Sequence, residues 1–274
     1  MLFPKILLVL YLLNPYFHIG KLPNTMDNNK EKMVALVTGA TGGIGTSICK
    51  KLHDEGYIVV AQYRSRDKAE EWNESLKRDG YDLPLVKADV SDFDAVTKMF
   101  EEIKRRVGTV DILVNNAGIT RDGSFRKMSF EQWKDVIDTD LTSVFNCCRM
   151  AIEDMLTSGY GRIVNVSSVN GQRGQFGQVN YSAAKAGMHG LTKSLAMEVA
   201  RKGITVNTIS PGYIATDMVM AVKEEIRNQI IEGIPVGRLG TPEEIAHLIA
   251  YLASDMAGFV TGANFAINGG QHVY

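Results

Sequence analysis

The chain has 274 residues, of which 45% are hydrophobic and 22% charged, and its formal net charge is −1. This is the composition of an ordinary globular protein with one large domain or two small ones. A charge so near zero creates no broad field that would recruit nucleic acid or an anionic membrane. The five histidines never fall at metal-ligand spacing, so we predict no metal site. The three cysteines show no disulfide framework, which indicates a reducing compartment such as the cytoplasm.

The first 32 residues differ in character from the rest. The apolar run at residues 6–13 follows Lys5 and resembles a signal-peptide core, but it is shorter than the roughly 20 residues that cross a bilayer. No small-residue cleavage site follows it, and Met26 offers a second candidate start. A dispensable extension, a membrane-associating segment and a secretion signal all stay open for residues 1–32. The prediction of one domain over residues 33–274 does not depend on that choice.

From Met33 onward, short apolar runs alternate with stretches of helical periodicity. The runs predict strands at 33–38, 57–61, 83–87, 110–114, 162–167, 204–209 and 264–268. The periodic stretches predict helices at 44–53, 66–79, 93–107, 130–156, 180–202 and 242–252. The last helix has Thr241 as its N-cap and Pro242 at its first position. The alternation predicts an α/β protein with a single doubly wound, Rossmann-type parallel sheet of about seven strands and helices on both faces.

The segment between the first strand and the first helix is rich in glycine and reads TGATGGIG from Thr38 to Gly45. In this position, glycines let the backbone approach a pyrophosphate, and the helix N-terminus attracts its charge. The spacing G-x-x-x-G-x-G is wider than that of the usual dinucleotide fingerprint. The candidate cofactor-binding residues of this loop are Gly39, Thr41, Gly43, Ile44 and Gly45.

The end of the second strand bears on the choice of cofactor. An acidic residue there would bind the ribose hydroxyls of NAD, but no carboxylate appears until Asp67. Arg64 and Arg66 are instead placed to pair with a 2′-phosphate, for which a guanidinium is well shaped. Ordinary surface arginines are the alternative. The pattern predicts NADPH, with Arg64 as the first candidate for its 2′-phosphate.

Ser168, Tyr181 and Lys185 form the candidate catalytic group. Tyr181 and Lys185 are four residues apart and share one face of a predicted helix, while Ser168 ends the preceding strand. A free tyrosine, with a pKa of about 10, is a poor acid or base near neutrality, and a neighbouring cation favours its phenolate. Such a tyrosine exchanges a proton with a carbinol or carbonyl oxygen that the serine hydroxyl holds. Alone, Y-x-x-x-K fits a plain amphipathic helix better, so its context decides.

These motifs, with NNAG at residues 115–118 after the fourth strand, resemble those of the short-chain dehydrogenase/reductase family from Met33 to the C-terminus. A closer resemblance, to the NADPH-dependent acetoacetyl-CoA reductases of polyhydroxybutyrate synthesis, is carried by residues 119–128, 169–190, 210–218 and 266–274. It implies reduction of acetoacetyl-CoA to (R)-3-hydroxybutyryl-CoA. Tyr181 would then donate the proton, Ser168 would hold the oxygen, and Lys185 would hold the nicotinamide ribose.

The resemblance also implies binding roles by position. Asp89 corresponds to a residue that contacts the adenine. Further cofactor contacts would come from Asn116, Gly118, Pro211, Gly212, Ile214 and Thr216. The substrate would be bound by Gln175, Phe176, Gln178 and Tyr213. Residues from 213 to about 235 would form a mobile lid. Family members are mostly tetramers, so we expect a homotetramer built through the two long helices and the last strand.

Asp140 departs from the family pattern, which has an asparagine at this place in the long helix. In the family, that asparagine bends its helix, and its main-chain carbonyl orders a water near the lysine. A carboxylate here would favour the charged form of Lys185 and raise its pKa. The pull of the lysine on Tyr181 would then be partly neutralised. We expect slower but not absent turnover.

Two other functions stay open. A 3-oxoacyl-[acyl-carrier-protein] reductase shares the fold and the catalytic groups, and its acidic carrier protein needs a basic patch at the mouth of the site. Arg121, Arg126, Lys127 and Arg173 could supply that patch, but they could equally meet the phosphates of CoA. The third candidate is a reductase-like binding protein without catalysis, which the intact serine, tyrosine and lysine oppose.

Overall fold

The computed structural model describes residues 33–273, apart from the side chains of residues 66–68. The extension over residues 1–32, with the predictions made for it, lies outside the described residues. The strands β1 to β7 are Val34–Val37, Ile58–Tyr63, Leu85–Lys87, Val110–Asn115, Gly161–Val166, Ile204–Pro211 and Asn264–Ile267. The helices α1 to α10 are Gly43–Asp54, Arg66–Arg78, Phe93–Arg106, Phe130–Ile137, Ser143–Ser158, Val169–Arg173, Val179–Val199, Asp217–Met220, Glu224–Glu232 and Pro242–Ala253.

Within the described residues, the strands form one parallel sheet in the order β3-β2-β1-β4-β5-β6-β7. The chain therefore builds outward from β1 to one edge, returns to the centre, and builds from β4 to the other edge. Val37 of β1 lies opposite Val114 of β4, so the loops after these two strands leave the sheet side by side. Ligands of open α/β sheets bind in the crevice at such a switch point. The predicted doubly wound parallel sheet is confirmed.

Alternate side chains of the central strands pack on opposite faces of the sheet. Leu113 of β4 joins a buried cluster that includes Met99 of α3. Its neighbour Ile112 joins a second cluster with Ile48 of α1 and Ile249 of α10. Because the strands are covered on both faces, their sequences are continuous apolar runs rather than alternating ones. This is why the strands were visible in the sequence.

The helix predicted over residues 130–156 is interrupted by a π-helical turn. Asp138–Thr142 forms this wider turn between α4 and α5. Such insertions are rare and frequently lie at functional sites. The hydrophobic pattern predicted a single continuous helix and did not reveal this turn. Asp140 lies in its centre, where the resemblance implies a bend.

The last long helix begins as predicted. The Thr241 hydroxyl accepts a hydrogen bond from the Glu244 N–H at 3.3 Å, and Pro242 is the first helical residue. The Glu244 carboxylate reaches back to the Thr241 N–H at 2.8 Å and completes a capping box. In residues 33–273, no helix combines the length and the apolar character that a bilayer crossing needs.

Gly45 lies in the first turn of α1, where the glycine loop folds back on itself. A Cβ atom at this position would lie 2.4 Å from the Gly39 carbonyl oxygen and 2.9 Å from the Ala40 Cα. Both neighbours are backbone atoms, so a side chain could be accommodated only if the loop itself moved. The close packing of the loop on α1 therefore requires glycine here.

We predict that Gly45→Ala lowers the free energy of unfolding by about 1–3 kcal/mol because it overpacks this turn. The matched control is Gly42→Ala, whose Cβ would meet its nearest neighbour at an ordinary 3.6 Å. Denaturant unfolding of the ligand-free protein measures both. Equal stability of the two variants would show that the loop is not held in this conformation.

Candidate active site

A cavity of about 1210 Å³ opens at the carboxyl ends of the central strands. Most of the candidate residues named from the sequence line it, although they come from loops far apart in the chain. The candidates in its walls are Gly39, Thr41, Gly43, Ile44, Gly45, Arg64, Asp89, Asn116, Gly118, Ser168, Gln178, Tyr181, Lys185, Pro211, Gly212, Tyr213, Ile214 and Thr216. Asp140 lies buried behind the wall and contacts Lys185.

Gln175 and Phe176 are not in the cavity wall. Both are exposed, and the Phe176 side chain is 89% accessible to solvent. They lie in the turn before α7, which bends outward at Gly174 and Gly177, where φ is +74° and +81°. The sequence placed both glutamines of this turn in the substrate site, whereas the structure brings only Gln178 into the cavity.

The glycine loop is tied to the neighbouring strands by two polar residues that the sequence analysis missed. Gln62 in β2 accepts a hydrogen bond from the Gly39 N–H at 2.8 Å and donates one to the Ala88 carbonyl at 2.8 Å. The Thr38 hydroxyl accepts from the N–H groups of Asn116 and Ala117, each at 3.0 Å. The feature of the sequence that could have identified these two residues is their position, because each is a polar residue at the end of an apolar run.

Asn116 also braces this loop. Its side-chain amide donates to the carbonyls of Thr38 at 3.0 Å and Gly39 at 3.1 Å. The loops after β1 and β4 therefore hold each other at the switch point. A Cβ on Gly39 would come within 2.8 Å of the Ala117 Cα, so the approach of the two loops also depends on glycine.

The start of α1 fits a phosphate group. Its N-cap, Gly42, has no side chain to cap the helix, and no acidic residue lies in its first turn. The first N–H groups of the helix thus face the cavity without a side-chain acceptor, and a bound anion satisfies such groups well. A Cβ atom added to Gly43 would lie only 3.1 Å from the Thr216 side chain. The backbone of Gly43, rather than a side chain, therefore forms this part of the cavity wall.

Arg64 and Asp89, which the sequence predicts to contact the adenosine part of the cofactor, both line the cavity. Arg64 is exposed and follows β2, as expected for a residue that pairs with a 2′-phosphate. The side chain of Arg66, the second candidate, lies outside the described part of the chain. One oxygen of Asp89 accepts from the N–H of Ser91 at 3.0 Å and from its hydroxyl at 2.6 Å, which fixes the carboxylate at the end of β3.

Lys185 is the most constrained side chain of the site. It is 3% exposed, and its Nζ donates to the Val166 carbonyl at 3.0 Å. The same nitrogen lies 3.3 Å from Asp140 Oδ2 and 5.5 Å from the centre of the Tyr181 ring. Burial lowers the lysine pKa, but the negative charge of Asp140, with a contribution from Tyr181, outweighs burial and leaves the pKa raised. The lysine is therefore a cation held against the tyrosine ring.

Asp140 is fully buried in the π-helical turn. Its Oδ1 accepts from the Ile119 N–H at 2.8 Å, while Oδ2 faces Lys185. Burial raises the pKa of this carboxyl group, against the lowering effects of Lys185 and of the Ile119 N–H. A Cβ on Gly118 would lie 2.7 Å from Asp140 Oδ2 and 3.2 Å from Lys185 Nζ. Glycine at 118 thus makes room for the ion pair, a role that the sequence did not reveal.

Ser168 caps the short helix α6 beside the catalytic helix. Its Oγ accepts from the Asn170 N–H at 3.1 Å. The neighbouring Ser167 hydroxyl donates to the Lys185 carbonyl at 2.8 Å. A Cβ on Gly171 would come within 2.8 Å of the Lys185 carbonyl carbon, so α6 lies directly against α7 at the lysine. This packing brings the end of β5 to the face of α7 that carries Tyr181 and Lys185.

The cavity wall also includes Gln178 and Tyr213, which the sequence predicts to bind substrate, and Asp122, which the sequence analysis missed. The Tyr213 N–H donates to the Gln271 side chain at 3.2 Å, which ties the segment after β6 to the C-terminal region. Among the described residues, no group of histidine, cysteine, aspartate and glutamate side chains could hold a metal ion. The side chains that line the cavity carry hydroxyl, amide, ammonium and carboxylate groups.

Comparison with known proteins gives matches along almost the whole described chain. A family model described as enoyl-(acyl carrier protein) reductase matches residues 39–272. An acetoacetyl-CoA reductase of Cupriavidus necator is 54% identical over 241 residues, which cover 88% of this chain and 98% of that protein. One of Allochromatium vinosum is 55% identical over 243 residues, covering 88% and 99%. A 3-oxoacyl-[acyl-carrier-protein] reductase of Staphylococcus aureus is 47% identical over 240 residues, covering 87% and 98%.

Identities of this size over nearly complete chains establish which family the protein belongs to. The order of the strands agrees with that family, as does the glycine loop followed by a helix without a side-chain cap. The predicted family is therefore confirmed. The chain belongs to the short-chain dehydrogenase/reductase family and is an oxidoreductase that uses a nicotinamide cofactor.

Proposed function

We propose that the protein reduces acetoacetyl-CoA to (R)-3-hydroxybutyryl-CoA with NADPH. The observation that carries this proposal is the presence of Ser168, Tyr181 and Lys185 in the wall of one cavity whose far end is the uncapped start of α1. Three acetoacetyl-CoA reductases at 54–55% identity support the choice of substrate. The roles of the individual residues follow from their contacts.

When bound, the cofactor supplies a hydride to the 3-keto carbon. Tyr181 donates its hydroxyl proton to the substrate oxygen as negative charge develops there. Ser168 donates a hydrogen bond to the same oxygen and stabilises that charge. The hydroxyls of Ser168 and Tyr181 donate to no other group among the described residues, so both protons are available to a ligand in the cavity.

Lys185 acts by charge and by position. Its ammonium group, 5.5 Å from the centre of the Tyr181 ring, favours the phenolate left after proton transfer. Of its three N–H donors, one binds the Val166 carbonyl at 3.0 Å and a second can face Asp140 Oδ2 at 3.3 Å, so one donor remains for a ribose hydroxyl of the cofactor. The Asp140 carboxylate partly neutralises this cation and so weakens its effect on Tyr181.

Reduction of a 3-oxoacyl group on a carrier protein is the second candidate function. The 47% identical Staphylococcus aureus reductase supports it, as do Arg126 and Lys127, which are both exposed and follow the cavity residue Asp122 in the chain. Arg121 is engaged by Asp135 at 3.6 Å, and Arg173 donates to the Gln271 carbonyl at 3.5 Å. Parallel assays with acetoacetyl-CoA and with the acetoacetyl carrier protein separate the two functions, because the true substrate has the higher kcat/KM.

The lid and the tetramer are also part of the proposal. Residues 213–235 contain α8 and α9, and Met218 and Val219 of α8 line the cavity while Met218 remains largely exposed. Such an apolar, exposed surface suits a segment that closes over a ligand. Met197 on α7 is 86% exposed, and β7 lies at the edge of the sheet, which supports assembly through these elements. Buried free thiols support a reducing, cytoplasmic location.

Tyr181→Phe removes only the proposed proton donor. We expect kcat for NADPH oxidation with acetoacetyl-CoA to fall by about 10²–10⁴-fold, the usual contribution of a general acid. Tyr251→Phe, on the exposed face of α10, is the matched control and keeps wild-type activity. Substantial activity in Tyr181→Phe would rule out the proposed proton transfer.

Arg64→Ser removes the proposed partner of the 2′-phosphate. Because a hydrogen bond to a charged group contributes about 1.5–3 kcal/mol, we expect KM for NADPH to rise by about 10- to 100-fold while KM for NADH changes little. Arg78→Ser, at the end of α2, is the control. An equal effect on both cofactors would show that Arg64 does not recognise the phosphate.

Asp140→Asn tests whether the carboxylate limits turnover. The amide oxygen can still accept from the Ile119 N–H, so the π-helical turn is kept, but the charge opposite Lys185 is lost. We expect kcat at saturating substrate to rise several-fold. Asp138→Asn, whose carboxylate pairs with Lys134 in the same region, is the control. An unchanged kcat in Asp140→Asn would mean that the carboxylate is harmless, and a lower kcat would mean that the carboxylate assists turnover; either result contradicts the expectation.

A further inference from the structure

Three residues outside the proposed catalytic group form a chain of hydrogen bonds that ends at Ser168, and a main-chain N–H makes its last link. The Gln178 side-chain N–H₂ group donates to both oxygens of Asp122, at 3.1 and 3.0 Å. The Asn170 amide nitrogen donates to Gln178 Oε1 at 2.9 Å. The Asn170 main-chain N–H donates to Ser168 Oγ at 3.1 Å. All four residues line the cavity, and we call this set the serine relay.

The donors and acceptors of the serine relay allow one orientation of the Gln178 amide. A carboxylate can only accept, so the N–H₂ group of Gln178 has to face Asp122. Its oxygen then faces the donor nitrogen of Asn170. The charge on Asp122 polarises this amide and strengthens the next bond along the chain. Without Asp122, only the contact with Asn170 would favour one orientation of the Gln178 amide over the other.

The last link determines where the Ser168 proton points. The Asn170 N–H occupies one lone-pair direction of Ser168 Oγ, and this hydroxyl donates to no group within the described residues. Its proton is thus directed away from α6. Asn170 lies in the first turn of a helix of only five residues, and its side chain is held by Gln178. Asp122, at the far end of the relay, is thus connected to the serine hydroxyl through Gln178 and Asn170.

The main chain keeps the two loops of the relay at a fixed distance. The Gly123 N–H donates to the Gly177 carbonyl at 2.8 Å, directly beside the contact between Asp122 and Gln178. Gly177 has a φ of +81°, which a side chain would strain. The loop after β4 is in this way joined to the segment before α7 by one backbone bond and one side-chain contact.

We propose that Asp122 is a positioning residue that orients the Ser168 hydroxyl through Gln178 and Asn170. This inference rests on the proposed function, because the serine hydroxyl matters only if it holds the substrate oxygen. It also changes the role of Gln178. Both ends of its amide bind protein groups, so it serves as a link in the relay rather than chiefly as a substrate contact.

A double-mutant cycle tests whether Asp122 acts through Ser168. We expect Asp122→Ala to lower kcat by about 3- to 10-fold, the effect of losing one ordinary hydrogen bond, with little change in KM for NADPH or in Tm. In a Ser168→Ala background, the same substitution should have no further effect on kcat. Asp122→Asn keeps one acceptor oxygen and should recover most of the activity. Asp135→Ala, an exposed carboxylate of α4, is the control and keeps wild-type kcat.

A charge exchange gives a second test that does not need the weakly active serine variant. Gln178→Glu alone places two carboxylates against each other and should lower kcat. Adding Asp122→Asn restores an N–H donor to the contact between positions 122 and 178. The carboxylate at position 178 can still accept a hydrogen bond from the Asn170 side chain. The double variant should therefore regain most of the lost kcat. No recovery in the double variant overturns the relay. An equal fold loss from Asp122→Ala with and without Ser168, or a loss confined to KM or Tm, overturns it as well.

Failure of the relay and failure of the proposed function give different results. If the wild-type protein does not oxidise NADPH with acetoacetyl-CoA, the proposed function is wrong, and the cycle is then measured with the 3-oxoacyl carrier-protein thioester. If the wild-type protein is active and the cycle is additive, only the role of Asp122 is wrong.

Discussion

The buried contact between Lys185 and Asp140 is the place where the elements that carry the site meet. Two charges taken out of water are stabilised only if their geometry is good and their remaining groups are bonded. Here the lysine also binds the Val166 carbonyl, and the carboxylate also binds the Ile119 N–H. Gly118 leaves the space for the pair, and the π-helical turn brings the carboxylate to it. The pair therefore joins β5, α7, the loop after β4 and the π-helical turn in one place.

The two residues that supply hydroxyls to the proposed reaction are positioned by different contacts. Tyr181 lies on α7, one turn before Lys185, and its position follows from the packing of that helix against α6 and the π-helical turn. Ser168 caps α6 and is connected by the serine relay to Gln178 and to the loop after β4. The cavity that both residues line also contains the start of α1, which has no side-chain cap and can bind an anion. A substrate oxygen held between the two hydroxyls would thus be fixed by elements that differ in sequence position but meet at one edge of the sheet.

The sequence predicted those features of the fold and the site that depend on residues close together in the chain. Strands buried on both faces are apolar runs, and the glycine loop, the serine, the tyrosine and the lysine have fixed spacings, so the fold and most of the cavity wall could be predicted. The hydrophobic pattern predicted one continuous helix over residues 130–156 and did not reveal the π-helical turn within it. Gln62, Thr38 and Asp122 were missed because their partners lie in other segments of the chain. Gln175 and Phe176, predicted to bind substrate, are exposed and do not line the cavity.

The most direct test of the central claim is to follow the hydride itself. Acetoacetyl-CoA is incubated with the protein and with NADPH that carries deuterium at the transferring position of C4, and the thioester is analysed by mass spectrometry and NMR. The proposed function predicts 3-hydroxybutyryl-CoA with one deuterium at C3 and none at C2. An unlabelled thioester, or no consumption of acetoacetyl-CoA, would contradict it.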